Sequence, residues 1–250
     1  MRLRLTIAHA LDRWHPRAKR LAEKLGWPQA WLQELQAYLK QPRMTPEEFW
    51  VRYTLKRMAA EPKLLPTMTE KQALRFYRTS DYMMWRNLVH RRHSTWYRVL
   101  ETMRGKHGTM LEFGCGIAPV SSWVKCRRPQ WVYQIDDISD SAHFQYALWR
   151  VWHPRKPIPG PLHYDVITAL DVFEHLADPL KHAKQLVAWL KPGGYLHANF
   201  VGNELRNDLD LATEEQRVAT LAYLRSELEL VWERVGYQVY RKAKEWEEGS

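Results

Sequence analysis

Three short stretches hold most of the chain's capacity for chemistry. DVFEH, 171–175, puts two acids and an imidazole, Asp171, Glu174 and His175, within one helical turn or a strand-to-helix bend, so their side chains can converge. Such a trio can take a proton from an acceptor or hold a divalent cation. LEFGCGIAP, 111–119, sets Glu112 two residues before Gly114 and puts Cys115 between Gly114 and Gly116, in a chain with only 11 glycines. Glycines in such a turn permit left-handed angles and remove the β-carbon that a ligand lying on the backbone would meet. YQIDDIS, 133–139, ends an apolar run in Asp136 and Asp137. A carboxylate at a strand end can accept from both hydroxyls of a ribose, and a one-residue change of register swaps which of the two acids faces it.

These residues need a frame. Short apolar segments, each bounded by turn residues or acids, read as buried strands: the one ending in GCG, WVYQID (131–136), YDVITAL (164–170) and YLHANFV (195–201). Helical patterns lie between them at 120–127, 141–151 and 180–190, the last stopped by KPGG (191–194). Alternation of strand and helix predicts an α/β fold, a doubly wound and mostly parallel Rossmann-like sheet with helices on both faces. In such sheets ligands sit beyond the carboxyl ends of the strands, which is where all three stretches fall. The tail reads either as a helix over 214–235 followed by a last strand, or as a hairpin of LELVWER and YQVYRK; periodicity leaves both open.

The first 105 residues read as helix throughout. Leu21, Leu25, Leu32, Leu35 and Leu39 recur at helical spacing, interrupted at GWP (26–28). Thr45, Pro46, Glu47 and Glu48 form a helix start, Thr69 is a further cap, and a helix rich in Trp, Tyr and Arg follows over 83–103. We divide the chain at this change of pattern into a basic helical extension, 1–105, and a sheet domain, 106–250. Charge follows the same line: the net +10 splits into +12 for the first part and −2 for the second. A basic surface of this kind suits an anionic partner, a small molecule or a nucleic acid.

With 250 residues, 45% of them hydrophobic, the chain can bury a sizeable core. No apolar run approaches the roughly 18–20 residues that cross a bilayer, and MRLRLTIAHALDRWHPRAKR (1–20) lacks the apolar centre of a secretory signal. We read that segment as a basic amphipathic helix, with a mitochondrial-type leader as the alternative. Two cysteines, Cys115 and Cys126, make no disulfide framework and no zinc spacing, which points to a reducing compartment and to the cytoplasm.

A nicotinamide or flavin fingerprint requires a third glycine at position 119, where this chain has Pro119. LEFGCGIAP instead resembles motif I of the class I S-adenosylmethionine-dependent methyltransferases, acidic-x-Gly-x-Gly-x-Gly, with Ala118 at the third glycine. Asp137 matches the acid of the family's Val-Asp-Ile-Ser, with Asp136 as its neighbour. YDVITALDVFEHLADPLKHAKQLVAWLKPGGYLHANF, 164–200, resembles the family's fourth strand, following helix and fifth strand. The resemblance covers about 108–201 and is to the small-molecule, ubiquinone-pathway type. One departure stands out: only 24 residues separate Ser139 from Tyr164, where the family fits a helix, a third strand and an adenine-contacting loop. FQYALWRVW is then either that strand or that helix, and the segment 153–163 skirts the adenine.

The resemblance implies S-adenosylmethionine as donor, S-adenosylhomocysteine as product, and a cofactor site of Glu112, Gly114, Cys115, Gly116, Asp136, Asp137, Leu170 and Asp171. Catalytic roles fall to His175 and Asp171. A related acid-x-x-Glu-His pattern binds magnesium in ubiquinone-pathway and small-RNA methyltransferases; here Asp171 replaces its first Glu, so we expect no metal and keep Asp171, Glu174 and His175 as the alternative magnesium set. His197 reads as a packed strand residue, Asn199 and Asn203 as acceptor-side residues, and Trp50, Trp85 and Trp96 as core. The expected acceptor is a small, anionic molecule methylated on oxygen, with Arg75, Arg78, Arg86, Arg91 and Arg92 facing it. RNA methylation through the basic half is the alternative, and an inactive binding subunit the third reading. Acceptor identity and oligomeric state stay open.

Overall fold

The computed structural model describes residues 29–40, 44–60, 68–89, 93–152, 163–199, 210–234 and 236–244. They fall in two compact units, 1–63 and 64–250. The helices that follow residue 64 thus belong to the same unit as the sheet, although their charge groups them with the chain before it.

In the first unit, α1 (Gln29–Tyr38) and α2 (Pro46–Ala60) are joined by a hydrogen bond from Gln36 Nε2 to the Met44 carbonyl, 2.7 Å. α2 starts where its sequence predicts. The Thr45 N–H donates to Glu48 and the Glu48 N–H to Thr45 Oγ1, a reciprocal cap that satisfies two amides which no helix turn precedes. Leu35, Met44, Phe49 and Tyr53 are buried, and the Trp50 ring meets the edges of Phe49 and Tyr53. The helix expected before GWP lies outside the described residues.

The second unit opens with α3 (Glu70–Thr79), α4 (Tyr82–Val89) and α5 (His93–Thr102). Thr69 and Gln72 form the cap of α3, as the sequence suggests. The pattern read as one helix over 83–103 is carried by α4 and α5. There follow β1 (Thr109–Phe113), α6 (Pro119–Lys125), β2 (Val132–Asp136), α7 (Ala142–Trp152) and β3 (Tyr164–Ala169). A 3-10 turn, Phe173–His175, leads to α8 (Pro179–Trp189) and β4 (Leu190–Asn199). The chain closes with α9 (Glu214–Glu227), β5 (Glu229–Arg234) and β6 (Tyr237–Arg241).

The strands form one sheet in the order β2-β1-β3-β4-β6-β5. β1, β2, β3 and β4 run parallel, while β6 is antiparallel to both β4 and β5. From β1 the chain winds outward to β2 and then returns to the other side for β3. The crevice at that reversal, beyond the ends of β1 and β3, is the place such a sheet offers a ligand. One face is sealed by α8 and α9 over Phe113, Ile167, Phe173, Leu186, Leu196 and Tyr240, all buried.

Two open readings are decided. FQYALWRVW is helix: His143, Tyr146, Ala147, Arg150 and Val151 are buried at helical spacing along α7. Among the described residues β2 therefore has one neighbour only, and 153–162, expected to skirt the adenine, lie outside them. The tail is a hairpin, because α9 ends at Glu227 and β5 returns on β6. KPGG ends α8 as predicted, but it also forms the irregular start of β4, where the register with β3 slips between Tyr164 and Val166.

α8 owes its start to Asp178, whose side chain accepts from the Lys181 N–H at 2.9 Å, with Pro179 in the first turn. Its buried face carries Ala183, Leu186 and Val187. Asp178→Ala should cost about 1 kcal/mol, read as a lower urea midpoint at unchanged slope.

Candidate active site

The turn after β1 is held from behind. α6 begins without a capping side chain of its own, its cap position being Ala118 at φ 50°. Glu112 supplies the cap from inside the sheet: Oε1 accepts from the Val120 N–H at 3.1 Å and Oε2 from the Ser121 N–H at 2.7 Å. The carboxyl is only 4% exposed. Burial pushes it up from the ordinary 4.5 to about 7, against the pull of those amides and of the Arg150 charge.

Gly114, Gly116 and Ala118 all have positive φ, 61°, 55° and 50°. The motif thus marks three left-handed positions, two of them glycine and the third an alanine that bears the strain. A β-carbon on Gly114 would come within 2.5 Å of a Val172 methyl, and one on Gly116 within 2.7 Å of the Asn87 amide nitrogen. Val172, from the turn after β3, and Asn87, from α4, are therefore what approaches this backbone. Cys115 between them is buried, and burial first, then the neighbouring acids, keeps its thiol well above its ordinary range.

The two strand-end acids part company. Asp137 turns inward: Oδ2 accepts from the Gly116 N–H at 2.7 Å, and Oδ1 from the Ile138 N–H at 2.7 Å. His143 Nε2 lies 3.0 Å from the same Oδ1. Asp136, one residue earlier, is exposed at the end of β2, and its backbone carbonyl accepts from the Cys115 N–H at 3.0 Å.

DVFEH spreads rather than converges. Asp171 sits at φ 55° and makes two hydrogen bonds with Asn199 at the end of β4: its N–H donates to Asn199 Oδ1, and Asn199 Nδ2 donates to its carboxylate. Leu170 before it is half-buried. Glu174 is buried, with Oε2 lacking a hydrogen-bond partner among the described residues, and burial raises its carboxyl. His175 points Nδ1 at Asp210 Oδ1, 3.2 Å away, and Arg217 lies 3.9 Å from the other oxygen of that buried acid. Asp210 is delivered by the backbone, since the Glu174 carbonyl accepts from both the Leu211 and Ala212 N–H groups. Nothing in the sequence pairs Asp210 with His175, 35 positions earlier. Among the described residues no three His, Cys, Asp or Glu side chains are grouped to hold a metal.

α3 and α4 contribute the remaining wall. The Tyr77 ring meets the His143 ring edge-on at 5.9 Å. Burial holds its phenol well above the ordinary 10; Arg86 counters this, while Asp137, Asp210 and Glu174 add to it. Tyr77 thus stands among acids from both sides of the crevice. Arg86 is half-buried, whereas Arg75 and Arg78 are exposed and Arg78 pairs with Asp140 at 2.9 Å. Arg91, Arg92 and Asn203 lie outside the described residues. Trp85 and Trp96 are buried, Trp50 half-buried. His197 is fully buried between Thr102 Oγ1 at 2.7 Å and the Tyr237 hydroxyl at 2.5 Å, and burial lowers it to about 3.

A left-handed glycine turn between β1 and α6, closed by an acid at the next strand end, is the local geometry that the resemblance to class I methyltransferases leads one to expect. A family model described as a methyltransferase domain matches residues 84–242, more than half of the chain. The chain belongs to that family and is an S-adenosylmethionine-dependent methyltransferase. No curated protein matches it in sequence. Among solved structures it is similar to an O-methyltransferase family protein from Burkholderia thailandensis, with 13% identity, 80% of this chain and 73% of that one covered, and a TM-score of 0.49. It is also similar to the N-methyltransferase NodS from Bradyrhizobium japonicum, in complex with S-adenosylhomocysteine, at 17%, 75% and 98% covered, and 0.46. The magnesium protoporphyrin IX methyltransferase from Synechocystis, with bound S-adenosylmethionine, gives 12%, 71% and 98%, and 0.49. At these identities and scores none of the three bears on the acceptor. No helix among the described residues is long and apolar enough to cross a membrane.

Glu112 gives the turn a pH signature. Between pH 4.5 and about 7 the folded chain keeps the Glu112 proton while the unfolded chain has lost it. Its contribution is therefore complete below pH 4.5 and lost as the pH rises through 7, a fall of order 3 kcal/mol. Glu112→Gln should be less stable at low pH and lack this part of the slope; urea titrations across pH 4–8 measure both.

Proposed function

We propose that the chain transfers a methyl group from S-adenosylmethionine to an oxygen of a small, anionic acceptor. The residues present fit the donor: the left-handed turn at Gly114 and Gly116 lies at the carboxyl end of β1, and Asp136 at the end of the neighbouring β2 is exposed. Bound there, the donor supplies an electrophilic methyl on a sulfonium sulfur. Asp136 holds the ribose hydroxyls. Glu112, Cys115 and Asp137 act from behind the turn, and Leu170 and Asp171 line the crevice beyond β3.

The observation that carries the choice of oxygen is the His175–Asp210 pair, 3.2 Å apart. A buried carboxylate this near Nδ1, though not hydrogen-bonded to it, favours the protonated ring electrostatically. His175 therefore suits the uptake of a proton at its other nitrogen, which a hydroxyl acceptor needs and a neutral amine does not. Asp210, itself flanked by Arg217, would stabilise the imidazolium formed as the hydroxyl is consumed. Arg86, half-buried beside Tyr77, is the cation for the acceptor's negative group. Once α3 and α4 exclude water, positioning the acceptor oxygen in line with the sulfur-methyl bond supplies much of the acceleration. Cysteines free of disulfides accord with a reducing compartment, for which we keep the cytoplasm.

One observation favours RNA as a second reading. Tyr97 is 59% exposed beside Trp123, over whose ring Arg127 lies at 3.8 Å, a surface on which a base could stack. Transfer of a labelled methyl to a panel of small hydroxy-carboxylates, hydroxy-phosphates, amines and total RNA separates the readings. Label on oxygen of the small anions supports ours; label on amines or RNA alone sinks it. His175→Ala should lower kcat/KM by about 10²- to 10⁴-fold at unchanged affinity for S-adenosylhomocysteine. Asp136→Ala should instead weaken that affinity by about 10- to 100-fold, as for lost hydrogen bonds to a charged group.

A further inference from the structure

α7 reaches the donor turn at two points. His143, in its first turn, is 3% exposed and meets Asp137 Oδ1 through Nε2 at 3.0 Å; Asp137 Oδ2 in turn accepts from the Gly116 N–H at 2.7 Å. Arg150, seven residues and nearly two turns later on the same face, is 8% exposed and donates from Nη1 to the Ile117 carbonyl at 3.0 Å. Tyr146 and Ala147, between them, are fully buried. The Gly116–Ile117 pair is thus held at the N–H by Asp137, which α7 braces through His143, and at the carbonyl by α7 directly, through Arg150.

The hydrogen-bond roles follow from the partners. Both Asp137 oxygens accept from backbone N–H groups, so Nε2 of His143 is assigned the hydrogen that points toward Oδ1. Ser141 Oγ, 3.1 Å from the same nitrogen, receives the Phe144 N–H and keeps the imidazole edge in place. Nδ1, buried, has no hydrogen-bond partner among the described residues, so the polar contacts of this histidine are those of Nε2, with Asp137 and Ser141. The opposite side of the ring meets Tyr77 of α3.

We propose that His143 is a positioning residue for the methyl donor. Through Asp137 it fixes the Gly116 N–H and commits Asp137 to the protein, so that Asp136 alone is left to face the ribose, with Arg150 holding the other side of the turn. The proposal rests on the donor site given above. It is specific to these residues, because the Gly-x-Gly motif itself contains neither His143 nor Arg150.

The test compares the wild-type full chain with His143→Ala, His143→Phe and His143→Gln by calorimetric titration of S-adenosylhomocysteine and by amide exchange of the 113–118 segment. Phe keeps a ring against Tyr77 and removes the N–H; Gln keeps an N–H able to reach Asp137. Ala and Phe should weaken binding about 10-fold and speed exchange at 116–118, while α8 and β4 keep their protection; Gln should restore most of both. Asp137→Asn combined with His143→Phe should be no weaker than the poorer single variant, since both break one chain. Unchanged affinity and exchange in His143→Phe, or fully additive effects, would overturn the proposal. Should Ala fail to fold, the Phe and Gln variants decide alone. A wild type that binds no S-adenosylhomocysteine overturns the donor site itself, an outcome distinct from equal binding by wild type and variants.

Discussion

Everything at the carboxyl edge of the sheet depends on one buried carboxylate meeting one helix end. α6 starts at a left-handed alanine and has no cap of its own, yet its first amides are buried under the crevice. Unpaired, each would cost about 1–3 kcal/mol. Glu112 answers both from β1, and to do so the chain between, 113–119, must climb back on itself. Only alternating left-handed angles achieve that, which is why Gly114, Gly116 and Ala118 share positive φ. A glycine turn read from sequence as room for a ligand is, in the folded chain, first the geometry that lets a strand acid cap its own helix. The ligand surface is what remains on the outer side.

Local pattern makes some of this legible in the sequence, and partners on other elements decide the rest. The strand, turn and helix of each stretch follow from apolar runs and punctuation, and α8 ends where KPGG says it must. FQYALWRVW was ambiguous because its aromatic and β-branched residues suit a strand, while buried positions at 143, 146, 147, 150 and 151 are a helix face that only packing reveals. The tail misleads for a similar reason. LELVWERV continues the helical spacing of α9, but β6 offers a strand to pair with, and tertiary pairing prevails over local pattern. Asp210 was beyond reach, because it is brought to His175 by the hydrogen bonds that the Leu211 and Ala212 N–H groups donate to the Glu174 carbonyl.

The pair Asp136 and Asp137 shows the limit most clearly. Spacing favours the second, alternation makes them opposites, and neither says which faces the crevice. The answer lies in α7: a histidine six residues on, in register with Asp137, draws that acid inward. A side chain's direction is set by the partner that waits for it, and such partners stand on other elements. The same holds for Asp171, whose left-handed backbone is matched by Asn199 on β4, a residue the sequence places on the acceptor side without pairing it with Asp171.

Net charge, too, changes meaning once the residues have positions. The basic excess of the first 105 residues is spread over two compact units, and part of it is spent locally, as where Arg78 meets Asp140 at the surface. Exposed pairs of that kind contribute little to stability and lessen the field a ligand would feel. Around Tyr77 the balance is different: Asp137, Glu174 and Asp210 surround a buried phenol, and Arg86 is the cation set against them. On the acceptor reading we propose, the selecting charge is one half-buried guanidinium rather than the sum over a helical half. There a single group outweighs many screened ones, because its interaction is not divided by the dielectric of water.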